Sequence, residues 1–296
     1  MRRAGAKGQE TAGWLFAAPA LVHLAAFALF PIGYALYVSF FRVRLIQPGA
    51  TFVGFRNYAL TFAEPPFWNA LWNSTRYALV AVPRGMAVAL AVAVLVSQKI
   101  RGMAFFRTLY YIPAISSGVA VSMLWIYVFL PETGLINTML AAFGIRGVDF
   151  LNQPAWAMWA LAFMSVWVGL GPRMILFLAG ILGISPTLYE AASLDGATGW
   201  RSFWRVTLPM LAPTTLFVAV TSTISAMQVF TPVYTMTKGG PQDTTDVIGY
   251  HIYTEAWVNF NTGLASAKSF VLFALVAVLS IAQFRLMRGS SEGYSG

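Results

Sequence analysis

The sequence contains no cysteine, which excludes a disulfide framework, a thiolate metal site, an iron–sulfur cluster and a cysteine nucleophile. Charge is scarce as well. Lys, Arg, Asp and Glu make up 10% of the residues, far below the roughly 25% usual for a soluble domain. No G-x-x-x-x-G-K-[ST] run occurs, so no loop of this kind would cradle a nucleotide phosphate. His23 and His251 are far apart in sequence, and neither a paired-carboxylate nor an H-E-x-x-H arrangement is present. A regular array of charges for voltage sensing and a filter-like loop are also missing. No catalytic residue and no metal ligand is assigned, and a membrane enzyme is not expected.

What the chain has instead is apolar surface. Of its 296 residues, 58% are hydrophobic, and the mean hydropathy is +0.68. A water-soluble fold of this length would have to bury nearly every side chain, which surface-to-volume scaling forbids. The chain belongs in a bilayer. Its formal charge of +9 would suggest nucleic acid in a soluble protein. Here the cations sit mostly at the ends of apolar runs, so they read as topology signals and lipid-headgroup contacts, with no nucleic-acid partner.

A helical span needs about 20 mainly apolar residues. Stretches 13–41, 76–97, 104–130, 155–183, 209–235 and 264–287 meet that requirement. They are continuous, unlike the alternating segments of about ten residues expected of spanning strands. The expected fold is all-α, a polytopic membrane helical bundle with six transmembrane helices. The basic leader could pass for a signal peptide. Its apolar run reaches about Phe41, well past an h-region of about 7–15 residues, and reads as a retained first span.

Arg2, Arg3, Lys7, Lys99, Arg101, Arg107, Arg201, Arg205, Arg285 and Arg288 gather on one side of the membrane. The cations on the other side, from Arg42 to Lys268, are diluted by carboxylates. This bias favours both termini in the cytoplasm. Tails 1–12 and 288–296 are then cytoplasmic and flank a six-span domain, 13–287, whose loop 184–208 is also cytoplasmic.

Glycine and proline punctuate the spans at Pro19, Pro31, Pro83, Pro113, Gly169, Gly171, Pro172 and Pro232. In a membrane, such breaks survive where neighbouring helices or a cavity satisfy the backbone again. Counting about 1.5 Å per residue, 113–118, 165–173 and 222–231 fall in the middle third of three spans. Interrupted helices meeting at one depth suit a midplane transport site. Two arginines lie deep within spans, where they usually face an interior. Arg84 reads as structural, snorkelling outward. Arg173 follows a Gly-Leu-Gly-Pro break and either pairs with backbone carbonyls freed by the break or meets an anionic substrate.

Residues 190–209, EAASLDGATGWRSFWRVTLP, form one compact polar element. Ser185 as N-cap and Pro186 at the first helical position open a helix that runs to about Asp195, and Gly196 can end it in a left-handed conformation. A second short helix, Trp200 to Val206, leads into the fifth span. Leu188, Ala191, Ala192 and Asp195 share a face of the first helix. Surface linkers usually offer Lys and Arg to anionic lipid, whereas this helix has no cation from Pro186 to Gly199, which favours a protein partner.

Glu190-Ala191-Ala192, Gly196 and Val206-x-Leu208-Pro209 together resemble the EAA loop of bacterial ABC importer permeases. In that family the loop is a coupling helix seated in a groove of the ATPase subunit; isoleucine is usual where Val206 stands. The resemblance covers nearly the whole chain. FVGFRNYALTFAEPPFWNALWNSTRY, TMTKGGPQDTTDVIGYHIYTEAW and FNTGLASAKSF are similar to segments of the carbohydrate and glycerol-phosphate group, the maltose-permease-like subunits. The resemblance implies ATPase coupling through Glu190, Ala191, Ala192, Asp195 and Gly196. It also implies sugar contacts at Ala114, Gly118, Ser165, Val168, Gly169, Ser222, Ser225, Ala226 and Val229, with Pro172 close by. Trp167, Gln228 and Thr231, which could stack or hydrogen-bond, complete the expected pathway with Arg173.

The resemblance further implies a multi-pass protein of the bacterial plasma membrane, the permease subunit of an ATP-driven importer for a sugar or related polyol. A second permease would complete a heterodimer. Two cytoplasmic ATPases would bind ATP and Mg, an external substrate-binding protein would deliver the small-molecule sugar, and this chain would hold no cofactor. A permease for glycerol 3-phosphate or phosphodiesters is the nearer alternative, with Arg173 and Lys268, at the outer mouth of the sixth span, facing the anion. An ion-coupled secondary transporter is the farther one. It would need a carboxylate well inside the spans, and none lies there.

Overall fold

Apolar runs long enough to cross a bilayer take two forms in this chain. Gly13–Ser39, Pro65–Val96 and Thr262–Leu286 are single long helices, and three further runs are pairs of shorter helices bent at a break. Counting each bent pair as one span brings the three to six. The computed structural model describes residues 2–98 and 102–291. Lys99 and Arg101, the side chains of Arg2, Arg3, Lys7 and Arg288, and the tail residues 292–296 lie outside the described residues.

In chain order, α1 (Arg2–Leu24) passes through a π-helical turn (Ala25–Leu29) into α2 (Phe30–Ser39). A small antiparallel hairpin follows, β1 (Phe41–Arg44) and β2 (Gln47–Phe52), with Phe41 opposite Phe52 and Arg42 opposite Thr51. Next come α3 (Arg56–Ala63) and α4 (Pro65–Val96). The helices α5 (Met103–Ile115) and α6 (Gly118–Val128) are bent by 100°, and after α7 (Leu135–Ala142) the pair α8 (Pro154–Val168) and α9 (Leu170–Leu182) is bent by 48°. The loop helix α10 (Pro186–Leu194) precedes α11 (Trp200–Ser202), a π-helical turn (Phe203–Thr207) and α12 (Leu208–Met210). Those turns meet α13 (Ala212–Met227) at 66°. The chain continues through α14 (Ile248–Tyr253) to α15 (Thr262–Ser291).

One expected boundary moves and one expected cap bond is missing. The second span was expected from residue 76, but α4 starts at Pro65 and runs for 32 residues. Tandem prolines open it, and their missing N–H groups cost nothing in a first turn. At about 1.5 Å per residue the helix is about 48 Å long, so its first turns stand clear of a hydrocarbon core about 30 Å thick. Ser185 was expected to cap α10 with its side chain. It makes no cap bond; its Oγ pairs with Thr187 Oγ1 at 2.8 Å, leaving Pro186 alone to set the entry.

The chain divides into two compact units, Met1–Glu64 with Ile252–Val271, and Pro65–His251 with Leu272–Gly296. In the first, Asn57 Nδ2 donates to Ser39 O at 2.8 Å and Phe41 O at 2.9 Å, tying α3 to the hairpin. Gly263 lies so close to Phe41 that a Cβ would overlap the Phe41 carbonyl oxygen. Lys268 is fully buried and bonded to Glu64 at 2.7 Å and Glu255 at 3.1 Å. This corrects the reading of Lys268 as a cation open to an anionic cargo. Removing an ammonium from water is costly, and two carboxylates offset that cost here.

In the second unit α4 packs against α8, α9 and α13. Tyr77, Ala81, Gly85, Ala89 and Ala93 recur every fourth residue on α4, and all are buried. Small side chains on one stripe let helix backbones approach closely, which is how helices associate where lipid removes the hydrophobic driving force. Met174, Phe177 and Leu178 of α9 fill the space beside Ala89 and Ala93, joined by Leu211 and Val218. On α9, Gly180 permits the same approach toward Leu211 and Thr214.

Candidate functional site

The 100° and 48° bends in the second unit each have a local cause. Pro113 removes a helical donor from α5, and Ser116 and Ser117 take extended ψ angles of 153° and 124° before α6 restarts. Ser116 Oγ donates to Ile112 O at 3.0 Å and Ser122 Oγ to Gly118 O at 2.7 Å, so hydroxyls serve the carbonyls around the break. In the second pair Pro172 cannot donate to Val168, and Gly169 turns the chain at φ −82°, ψ 0°. Gly171 lies against the Tyr110–Tyr111 backbone too closely for a side chain. Helix α13 stops at Met227, and the segment 228–232 follows before the turn Val233–Thr237.

These breaks surround one cavity of about 280 Å³. Of the residues expected in the pathway, Gly118, Ser165, Val168, Gly169, Arg173, Ser225, Ala226, Val229 and Thr231 line it. Ser222 stands behind them and accepts a hydrogen bond from Arg173 Nε at 3.1 Å. Ala114, Trp167, Pro172 and Gln228 are outside the lining. Trp167 instead packs edge-on against Trp125, and Gln228 is exposed. A helix break carries its neighbours to different faces, so proximity in sequence does not place all of them on one wall.

Tyr77, Ala81, Ser122, Met164, Phe230 and Pro232 also line the cavity and were not read from the sequence. Tyr77 donates its hydroxyl hydrogen to Ser165 Oγ, which sets a pair of hydroxyls on the wall. The four-residue spacing of Tyr77, Ala81 and Gly85 was the available signal for that face. Arg173 is the only cation among the lining residues. Its Nη1 is buried and has no hydrogen-bond partner among the described residues. No group of three or more His, Asp or Glu side chains suited to a metal occurs among the described residues.

The loop helix α10 has no buried residue. Glu190, Ala191, Asp195 and Gly196 are exposed, and Ala192 is half-buried. The helix closes through two bonds, Ala197 N to Ala192 O at 2.8 Å and Gly196 N to Ser193 O at 3.1 Å, with Gly196 at φ +73°. This is the left-handed glycine ending in which the last carbonyls are satisfied from beyond the helix. Tyr189 and Thr207 hydroxyls, 3.0 Å apart, fasten α10 to the turn entering the fifth span. Leu194 and Trp200, 89% and 72% exposed, add apolar surface beside the acidic face.

A polytopic helical protein with interrupted spans around an inner cavity and an exposed helix between two spans has the build of a membrane permease. The family model described as "Binding-protein-dependent transport system inner membrane component" matches residues 81–291. The chain is 36% identical over 282 residues to the lactose transport system permease protein LacF of Rhizobium radiobacter, covering 93% of this chain and 94% of that one. It is 33% identical over 275 residues to the sn-glycerol-3-phosphate transport system permease protein UgpA of Rhizobium meliloti, with the same coverages. A crystal structure of a bacterial ABC transporter involved in the import of the acidic polysaccharide alginate contains a chain that superposes with a TM-score of 0.82. Identity to it is 25%, over 97% of this chain and 99% of that one. The chain belongs to the binding-protein-dependent transport system inner membrane components, and is a multi-pass permease of the ABC importer type.

Proposed function

We propose that this chain forms half of the translocation pathway of an ATP-driven importer for a sugar or related polyol. The observation that carries the reading is the meeting of three helix breaks around one cavity, with α9 running from that cavity to the exposed loop helix. The names of the lactose and glycerol-phosphate relatives support a small polyhydroxylated cargo. A second permease completes the pathway as a heterodimer, an external binding protein delivers the cargo, and two cytoplasmic ATPases bind ATP and Mg. This chain binds no cofactor and catalyses no reaction. Both termini and the 184–208 loop face the cytoplasm.

In this scheme ATPase closure moves α10 as a rigid body, because α10 ends in a hydrogen-bonded turn and is fastened to the turn after it. The motion passes into α9, about 20 Å long, whose buried face packs on α4 and α13. Reorienting these helices switches the cavity between outward and inward access, and the ATPases supply the differential binding that shifts the equilibrium. An anionic cargo of the glycerol-phosphate kind is the second reading, favoured by the buried, unpartnered Nη1 of Arg173 beside the cavity.

The test is reconstitution of the co-purified complex in vesicles, with a thermal-shift screen of its binding protein against sugars, polyols and their phosphates. ATP-dependent uptake of a ligand found in the screen is expected, with crosslinks from Ala192→Cys to an ATPase subunit. Uptake by this chain without ATPases would overturn the proposal in favour of an ion-coupled transporter.

A further inference from the structure

A larger cavity, of about 620 Å³, lies beside α8, lined by Val80, Arg84 and Val88 of α4 and by Trp156, Trp159 and Phe163 of α8. At about 100° per residue, these α8 side chains are centred about 150° around the helix from Met164, Ser165 and Val168, which line the central cavity. The groove therefore faces away from the central cavity.

Its one charged group is placed in a particular way. Arg84 is exposed, and its Nη1 donates to Val80 O at 3.2 Å, one turn nearer the Pro65 end of α4. The guanidinium lies over the Trp159 ring, 4.7 Å from its centre. Arginine carries five N–H donors, and Val80 O is the acceptor recorded for this one among the described residues. Trp156 and Trp159 occupy the first turns of α8, where tryptophan marks the level of lipid headgroups. An arginine exposed on a spanning helix is tolerated when its head reaches that level and finds acceptors there.

The dimensions suit one kind of occupant. From Trp156 to Val166 the groove runs about 15 Å along α8, half of a hydrocarbon core about 30 Å thick. A groove that ends at mid-bilayer matches the reach of an acyl chain in one leaflet. We infer that this groove holds a phospholipid in the leaflet away from the coupling loop. Its phosphate meets Arg84 through charge-assisted hydrogen bonds, and one acyl chain lies along Val88, Phe163 and Val166.

The full chain, with whatever subunits co-purify, is reconstituted in nanodiscs of equimolar phosphatidylethanolamine and phosphatidylglycerol, extracted into detergent and analysed by native mass spectrometry. The unaltered protein retains phospholipid through detergent exchange. Arg84→Gln lowers retention about tenfold, the equivalent of losing one charge-assisted hydrogen bond. Ala87→Trp, which fills the groove, removes the lipid. In an otherwise unaltered chain, benzoylphenylalanine in place of Trp159 gives a lipid adduct on illumination. Equal retention in both variants, or an adduct with a protein subunit, overturns the inference. Neither readout involves cargo or ATPase, so this result and the permease assignment stand or fall separately.

Discussion

The guanidinium of Arg173 fills a notch left by Gly85 on the face of α4, so that a Cβ at position 85 would overlap Nη1. Gly169 leaves the space on the other side, where a Cβ would lie 2.6 Å from the same atom. The cation is thus held against Gly85 of α4 and Gly169 at the break between α8 and α9, with Ser222 as its acceptor. Gly85→Ala is expected to displace the Arg173 head and to lower the thermal stability of the detergent-solubilised protein by no more than about 1 kcal/mol in unfolding free energy, because the helical gain of alanine offsets part of the overlap. Because both changes act on one contact, Gly85→Ala adds little to Arg173→Gln. Additive losses in the double variant would show that the two residues do not compete for the same space.

Arg173→Gln separates the two cargo classes. If the cargo is a neutral sugar, uptake changes by less than about twofold. For an anionic cargo, losing the charge raises the half-saturating concentration at least about tenfold, or about 1.4 kcal/mol. Uptake of radiolabelled sugar and sugar phosphate by the same vesicles reads both.

Glu190→Lys reverses charge on a helix that buries nothing within the chain. The variant is expected to unfold within about 0.5 kcal/mol of the parent, as surface changes usually do. Co-purification of the ATPase subunits should drop at least about tenfold, the scale of a charge pair lost from an interface. Intact ATPase binding with normal uptake would remove α10 as the coupling contact.

Lys268→Met leaves Glu255, which is buried, without its cation. Breaking such a pair costs about 3–5 kcal/mol, and the low end applies here because Glu64 keeps access to solvent. Adding Glu64→Gln and Glu255→Gln should recover part of the loss, read as the midpoint of denaturation in detergent.

Much of this architecture was legible in the residues. Runs of apolar side chains located the spans because each must satisfy its own backbone in lipid, a requirement met within one segment and visible there. Pro113, Pro172 and Gly169 marked bends for the same local reason. The spacing of Glu190, Gly196 and Pro209 identified the loop, whose helix needs only Pro186 to begin it and Gly196 to end it.

Other features had a weak local signature or none. Lys268 reads as an open cation until Glu64, distant in sequence, is placed against it. Tyr77 looks like one aromatic among many until α8 brings Ser165 to its hydroxyl, and Gly85 looks like a helix flaw until Arg173 occupies its place. The sequence by itself determined what depends on a single segment, namely where helices start, bend and stop in a bilayer. Tertiary structure alone decided which side chains share a wall and which charges cancel, because those energies arise between groups the chain keeps far apart until the helices pack.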